Sequence, residues 1–293
     1  MNRPATASAI FMLTIASVVA LPQIASSETV LRIGMTAADI PRTSGQPDQG
    51  FEGNRFTGVT LYDSLTMWDL SSATKASAVI PGLASEWAAD AADKTKWTFK
   101  LRPGVTFHDG SAFNADAVVW NVEKVLKQDA PQFDASQVGV TASRMPTLVS
   151  ARKLDDMTVE LTTREPDGFL PINLTNLFMA SPAKWQKLYD RAEGADTKAR
   201  SQAAWDASGT GPWKMSSFTP RERLELVKND NYWDKTRVPK IDRMLLLPMP
   251  EATLRTAALL SGQVDRIEAP APDTVPQLKQ RGFVIQANEQ PHV

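Results

Sequence analysis

The stretch WTFKLRPGVTFHDGSAFNADAVVWNVEKVL, residues 97–126, predicts two short strands, two turns and one capped helix. Apolar and polar side chains alternate over residues 97–101, as in a half-buried strand. Pro103 before a glycine favours a tight turn, after which residues 105–107 predict a second strand. Asn114 is a favoured N-cap, and the valines after it recur on one helical face. The stretch therefore predicts a hairpin followed by a helix, with no group of evident reactivity.

Strand and helix patterns mix along the rest of the chain, which predicts an α/β or α+β fold with several hairpins. Further strands are expected at residues 30–35, 148–154, 158–162, 213–218, 221–228, 241–248, 264–267 and 283–285. Further helices are expected at residues 59–70, 181–189, 192–205, 251–261 and 273–280, and a loop at residues 128–145.

The composition excludes several classes of protein. The chain has 293 residues, a net charge of −1 and no cysteine. The near-neutral charge argues against binding to nucleic acid or to acidic lipid. The missing cysteines exclude disulfides, thiol chemistry and thiolate metal sites. A mean hydropathy of −0.26 is typical of a globular protein rather than of a membrane protein.

The amino terminus has the pattern of a secretion signal. Residues 9–21 form an uncharged apolar run behind Arg3, too short to span a bilayer but suited to a signal peptide. Small residues at positions 25–27 suit cleavage before Glu28. We therefore expect residues 1–27 to be a signal peptide and the mature protein to be periplasmic, without a lipid anchor because cysteine is absent. An uncleaved membrane anchor is the alternative.

Histidine chemistry has little support in the sequence. His108 and His292 are the only histidines, too few for a histidine-based zinc site. A catalytic triad would need His108 beside Asp109, where a solvated turn is the favoured interpretation. The signatures of common hydrolases, nucleotide-binding loops and dinucleotide-binding folds are missing.

The S-x-x-K motif keeps one enzymatic alternative open. It occurs as Ser72 with Lys75, Ser150 with Lys153, and Ser181 with Lys184. In a serine acyl-enzyme, one helical turn brings the lysine beside the nucleophile. Three occurrences of so short a motif favour chance, and the accompanying S-D-N and K-T-G motifs are absent. A secreted serine hydrolase is therefore the alternative function.

Six segments, taken in order, resemble one protein family. They are YDSLTMWD (62–69), IPGLASEW (80–87), the stretch at 97–126, GTGPWKMSSF (209–218), LVKNDNYWDK (226–235) and ALLSGQVD (258–265). Their order and spacing are similar to those of the family 5 extracellular solute-binding proteins of ABC importers. The resemblance covers residues 30–285 and implies an α/β, two-lobed periplasmic-binding-protein fold of type II with an extra subdomain.

The resemblance also implies a domain organisation. Residues 28–61 and 201–268 would form lobe one, residues 62–200 its extra subdomain, and residues 269–293 the start of lobe two. The stretch at 97–126 would then be the scaffold of the subdomain. Members of the family are considerably longer, so we expect only lobe one and the start of lobe two here. A truncated fragment that binds no ligand is a further alternative.

The family's function implies binding without chemistry. The chain would capture a peptide or a similar small polar solute in the periplasm and deliver it to the permease of an ABC importer. We expect a monomer with no metal, cofactor or nucleic-acid partner. The expected ligand-binding residues lie after the first strand, after the subdomain helix and in the turn at residues 176–178. They are Thr36, Ala37, Ala38, Asp39, Ile40, Phe133, Asn176 and Phe178.

Overall fold

The computed structural model describes residues 28–289 and shows a mixed α/β architecture. The predicted signal peptide over residues 1–27 and the histidine at position 292 lie outside this part of the chain. Across residues 28–289, none of the helices combines the length and apolar character needed to cross a membrane.

The strands and helices of this part alternate along the chain. The strands are β1 (Val30–Met35), β2 (Thr66–Trp68), β3 (Val79–Pro81), β4 (Ala84–Ala89), β5 (Lys96–Leu101), β6 (Leu148–Asp155), β7 (Thr158–Thr163), β8 (Trp213–Thr219), β9 (Arg223–Lys228), β10 (Arg243–Pro248) and β11 (Arg266–Ile267). The helices are α1 (Gly50–Gly53), α2 (Val59–Leu61), α3 (Ala115–Leu126), α4 (Ala135–Arg144), α5 (Leu170–Asn173), α6 (Pro182–Arg191), α7 (Asp196–Trp205), α8 (Ala252–Leu260) and α9 (Val275–Gln280). A π-helical segment, Asn54–Gly58, joins α1 to α2.

The first sheet has five strands in the order β11-β1-β10-β9-β8. β1 lies between β11 and β10 and runs parallel to both, with Val30 opposite Arg243. β10, β9 and β8 pair antiparallel, so the predicted hairpin of β8 and β9 forms one edge. Leu224 and Leu246 of this sheet are almost fully buried in one core cluster with Tyr62.

The second sheet has four antiparallel strands in the order β4-β5-β7-β6, and α3 packs against β6 and β7. The stretch at 97–126 supplies β5 and α3, as predicted. The side chain of Asn114 accepts a hydrogen bond from the amide of Ala117 at 3.0 Å, which confirms the N-cap. Phe99, Val118 and Val122 are almost fully buried in a second core cluster. The stretch therefore forms the centre of this layer.

Two predictions of regular structure are wrong. Within residues 59–70, α2 ends at Leu61 and β2 begins at Thr66, because the chain turns to extended backbone at Tyr62. Consecutive side chains from Tyr62 to Thr66 are all buried, so burial here does not follow the one-face pattern of an amphipathic helix. Residues 105–107 form one isolated bridge, from Thr106 to Ala112, rather than a strand. The turn after them brings the chain straight back to the helix.

Two further predictions are corrected. The loop expected at residues 128–145 contains α4, capped by Asp134, whose side chain accepts from the amide of Ser136 at 3.0 Å. Polar side chains, Gln137 among them, are buried on α4, so its inner face lacks an apolar pattern. Residues 283–285 pair with no other strand of the described chain; the amide of Phe283 instead donates to the last turn of α9.

The buried carboxylate of Asp63 joins the segment after α2 to the two segments that flank the β8–β9 hairpin. It accepts hydrogen bonds from the hydroxyl of Thr210 at 2.9 Å, the hydroxyl of Tyr232 at 2.8 Å and the indole N–H of Trp233 at 2.8 Å. Burial raises the pKa of Asp63, while these three donors oppose the shift by stabilising the charged form. The carboxylate is thus the acceptor at the centre of a fixed polar cluster.

The glycines of the segment GTGP allow a close approach to the backbone at the end of α2. A β-carbon added at Gly209 would lie 2.1 Å from the carbonyl oxygen of Leu61. His108 holds this segment: its Nε2–H donates to the carbonyl of Gly211 at 3.0 Å, and its Nδ1 accepts from the amide of Gly209 at 3.3 Å. Burial lowers the pKa of His108 to about 4, so the ring is neutral at pH 7. The predicted solvated turn is therefore wrong.

The lysine of α3, Lys124, is fully buried between the second sheet's helices and the loop before α1. Its ammonium group donates to the carbonyl oxygen of Ser44 and, at 3.0 Å, to the Ser44 hydroxyl. The side-chain oxygen of Gln137 accepts from the Ser44 amide at 2.8 Å. Within residues 28–289, no carboxylate forms an ion pair with Lys124. Burial lowers the pKa of Lys124 to about 7, and Asp134 weakly opposes this shift.

Candidate functional site

The carboxyl ends of the parallel strands β1, β10 and β11 lie at one edge of the first sheet. The segments that leave this edge are residues 36–40, 249–251 and 268–271. In open α/β sheets, ligands bind outside the carboxyl ends of the strands. This edge is therefore the place to look for a binding surface.

An exposed aromatic ring stands beside this edge. Phe51 on α1 is 63% exposed, and the Arg144 guanidinium at the end of α4 lies 4.6 Å from its ring centroid. The same guanidinium donates a hydrogen bond to the side-chain oxygen of Asn176, which also accepts from the amide nitrogen of Asn54 at 3.4 Å. We call Phe51, Asn54, Arg144 and Asn176 the aromatic–arginine group. It combines an apolar face with a cation and amide groups.

Charged side chains continue the surface toward the strand ends. The hydroxyl of Thr36 donates to the carboxylate of Glu52 at 2.9 Å, which links the loop after β1 to α1. Arg55 forms an ion pair with Glu268 at 2.5 Å, which links the π-helical segment to the residue after β11. These two contacts place α1 and the π-helical segment over the carboxyl edge of the sheet.

A buried arginine fixes the ends of β10 and β11. Arg255 of α8 is 3% exposed, and its guanidinium donates to the carbonyl oxygens of Met249 at 2.6 Å and Pro250 at 2.7 Å. It also donates to the carbonyls of Glu268 at 2.9 Å and Ala269 at 3.0 Å. Backbone dipoles rather than a carboxylate stabilise this charge, so the guanidinium ties together the two segments that leave the sheet.

The predicted binding residues occupy different environments. Thr36 and Asn176 belong to the surface just described, and Ala38 is exposed in the same loop. The carboxylate of Asp39 accepts from the amides of Ile40 and Arg221, both at 2.6 Å, so it fixes the loop to the β8–β9 turn.

The other predicted residues have side chains in core clusters. Ala37, Ile40 and Phe178 are almost fully buried in the cluster of the first sheet. Phe133 packs against the cluster of the second sheet, and its carbonyl accepts from Arg200 at 2.8 Å. Ligand contact by any of the eight residues stays a prediction.

Sequence reasoning missed Phe51, Glu52, Arg55 and Arg144. Phe51 and Glu52 lie in the polar, glycine- and proline-containing segment at residues 36–53, which gave no helical signal, and Arg55 follows it. Arg144 ends α4, in the segment predicted to be a loop. The exposure of Phe51 and the position of Arg144 beside it depend on tertiary packing, so no local signal in the sequence could have found them.

The Ser181 motif does not form a nucleophile. Ser181 is the N-cap of α6: its hydroxyl oxygen accepts from the amide of Lys184 at 3.0 Å, and its O–H donates to Asp109 at 2.9 Å. The Lys184 ammonium forms an ion pair with Asp206. Both side chains are therefore engaged in structural contacts.

The other two motifs are also structural. Ser150 and Lys153 lie on β6, and the lysine pairs with Asp116 at 2.8 Å and with a second carboxylate at 2.6 Å. The hydroxyl of Ser72 accepts from the amide of Lys75 at 3.2 Å in an exposed turn. In none of the three motifs does the lysine amine bond the serine hydroxyl, so the geometry gives the hydrolase alternative no support. The described residues also contain no cluster of three or more side chains able to hold a metal ion.

Comparison with known proteins supports the resemblance seen in the sequence. Residues 78–292 match the family described as bacterial extracellular solute-binding proteins, family 5 middle region. The dipeptide-binding protein of Escherichia coli is 29% identical over 256 residues, which cover 81% of this chain and 46% of that protein. Heme-binding protein A of Haemophilus influenzae is 32% identical over 204 residues, 65% of this chain and 35% of that protein. The chain thus spans about half the length, or less, of these relatives.

The fold agrees with solved structures of the same kind. A dipeptide-binding protein from Pseudoalteromonas sp. SM9913, in complex with Met-Leu, is 20% identical and has a TM-score of 0.73 over 86% of this chain and 49% of that chain. A peptide complex of a periplasmic binding protein from Helicobacter pylori is 23% identical, with a TM-score of 0.69 over 87% and 49% of the two chains. The predicted α/β fold, equivalent to about half of a two-lobed periplasmic binding protein, is therefore confirmed. The chain belongs to the bacterial extracellular solute-binding proteins of family 5.

Proposed function

We propose that this chain forms one wall of the ligand cleft in a periplasmic solute-binding protein that delivers a peptide or similar small polar solute to an ABC importer. The aromatic–arginine group at the carboxyl edge of the first sheet is the observation that carries the proposal. It offers apolar surface at Phe51 and hydrogen-bonding groups at Arg144 and Asn176, the combination that binding sites for small solutes use.

The names of the relatives support a small, polar cargo. Relatives in E. coli, Pseudomonas aeruginosa and Pectobacterium atrosepticum are binding proteins for dipeptides, for di- and tripeptides, and for glutathione. Each is at most 29% identical to this chain, so these names support the class of solute rather than one compound.

Binding without chemistry suits the geometry. The hydroxyls of Ser72 and Ser181 are engaged with backbone amides, and the ring of His108 is held by two backbone groups. Ligand would instead stabilise a closed state in which a second wall covers the aromatic–arginine group, and the importer's permease would recognise that closed state. The protein would act as a monomer in the periplasm.

Ligand-dependent stabilisation tests the proposal. The protein is produced from its native gene, purified from the periplasm, and heated with and without di- and tripeptides. Peptide at about 100 times Kd should stabilise the native state by about 2.7 kcal/mol, which raises Tm. A native mass spectrum should also show a bound solute that denaturation releases.

A matched pair of variants localises the site. Phe51→Ala should weaken binding, since it removes the exposed ring, while Leu154→Ala should not. Leu154 is also exposed, at 43%, but lies on β6 of the second sheet and is not a member of the aromatic–arginine group. Equal binding by wild type and Phe51→Ala would exclude this surface as the cleft wall. No thermal shift with any peptide would exclude the peptide function.

A further inference from the structure

We propose that Arg144 is the anion-binding residue of this wall, and that it selects solutes with a carboxylate beside an apolar group that contacts Phe51. The inference rests on the proposed function and deepens it, because it assigns a charge to the solute at one position. Three observations support it: the contacts of Arg144, the ion pairs of the neighbouring arginines, and the exposure of the Phe51 ring.

The partners of Arg144 are neutral groups, so no ion pair within the described residues offsets its positive charge. Its guanidinium contacts the ring of Phe51 and donates to the amide oxygen of Asn176. No carboxylate within residues 28–289 forms an ion pair with it. A guanidinium has five N–H donors, and the bond to Asn176 uses one of them.

The neighbouring arginines, unlike Arg144, lie close to a carboxylate. Arg55 is paired with Glu268 at 2.5 Å, and Arg266 lies 3.8 Å from the same carboxylate. The carboxylate of Glu52, the residue after Phe51, accepts from the Thr36 hydroxyl rather than from an arginine. Among the arginines that contact this surface, Arg144 is therefore the one available to an external anion.

Two contacts also hold the Arg144 guanidinium in a fixed orientation in which it can bind a planar anion. Stacking on Phe51 and the bond to Asn176 restrict the side chain, so less rotamer entropy remains to be lost on binding. The planar fork of donors matches the two oxygens of a carboxylate. Phe51 stays 63% exposed beside the guanidinium, which leaves apolar surface for the part of the solute next to the carboxylate.

A matched pair of ligands isolates the charge. The probes are the dipeptide Ala-Phe and its C-terminal amide, titrated by calorimetry into protein made from the native gene. Wild type should bind the acid about 10- to 100-fold more tightly than the amide, the range for hydrogen bonds to a charged group. Arg144→Gln should abolish this preference by weakening binding of the acid alone. Arg144→Lys, which keeps the charge but loses the fork, should fall between the two.

A second variant controls for the loss of a surface charge. Arg152→Gln removes an exposed arginine of β6 that pairs with Glu160 at 2.9 Å, and it should leave both affinities unchanged. Thermal unfolding of each variant without ligand shows whether the fold is intact.

The outcomes separate the inference from the proposed function. A preference for the acid that survives in Arg144→Gln would overturn the inference and leave the peptide function standing. Equal weakening of acid and amide would also overturn it, because it would make Arg144 a structural residue. Wild-type protein that binds neither peptide would overturn the peptide function and the inference together.

Discussion

Replacement of Lys124 by methionine should change how stability depends on pH. The ammonium group is fully buried, its partners are the carbonyl and hydroxyl of Ser44, and burial lowers its pKa from 10.5 to about 7. A lysine with a lowered pKa in the folded state destabilises the fold while it is protonated. The destabilisation is complete below pH 7 and disappears above the unfolded pKa of 10.5.

The magnitude follows from the size of the shift. The fall in the pKa of Lys124 from 10.5 to about 7 lowers the free energy of unfolding by roughly 5 kcal/mol below pH 7. Integration of the same linkage gives a gain of about 2 kcal/mol in unfolding free energy between pH 7 and pH 9, because the unfolded state binds more protons there. Lys124→Met lacks the titrating group and should lack this gain.

The assay is urea unfolding at several pH values between 7 and 9. The measured quantity is the unfolding free energy of wild type minus that of Lys124→Met, so groups common to both proteins cancel. We expect this difference to rise by about 2 kcal/mol. Lys100→Met, at an exposed lysine paired with Glu86, controls for the loss of any lysine. If the unfolding free energy of wild type minus that of Lys124→Met stays constant or falls as the pH rises, the reasoning is refuted.

Three other substitutions, one with a matched control, test contacts that fix the segments around the first sheet. Asp63→Ala leaves two buried hydroxyls and the partly buried indole N–H of Trp233 without an acceptor, and should cost about 3 kcal/mol or more in urea unfolding. A loss below about 1 kcal/mol would contradict this role. Arg255→Met removes the hydrogen-bond donors of four backbone carbonyls and should therefore speed amide hydrogen exchange around β11. Unchanged exchange would show that the guanidinium is dispensable. Gly209→Ala should prevent stable folding because its β-carbon meets the Leu61 carbonyl; Gly139→Ala, in open space on α4, should instead stabilise by about 0.5–1 kcal/mol. Soluble, fully stable Gly209→Ala protein would disprove the close contact.

Local signals in the sequence were sufficient for much of the fold. The hairpins of β6 with β7 and β8 with β9 carry short alternating strands and turns, and each is closed by neighbouring residues. The cap at Asn114 depends on an amide three residues away. Contacts between residues so close in sequence depend on secondary-structure propensity and on turn and capping residues, which can be read from a single sequence.

The segments that failed depend on distant partners. α4 buries Gln137 and Thr141, which are satisfied by Ser44 and Gln46 from the loop before α1. A helix whose inner face is polar gives no apolar period, so its sequence resembles a loop. Only the partner segment makes burial of those side chains favourable.

The candidate site was the least predictable part. Phe51 and Arg144 come from helices that are far apart in sequence, and neither helix was expected. The resemblance to family 5 directed attention to Thr36 and Asn176, which do lie at the surface, but could not supply the side chains specific to this chain. Cation–π contacts such as this one arise from tertiary packing and leave no local pattern.

The parallel pairing of β1 with β10 sets an order of events during folding. Val30 pairs with Arg243, 213 positions later, whereas the four-stranded sheet needs only residues 84–163. Closure of the longer loop costs more chain entropy, so the four-stranded sheet can form while β1 still lacks its neighbour. Until β10 pairs with it, β1 is an unpaired strand available to other chains, which makes the first sheet the part most exposed to misassembly.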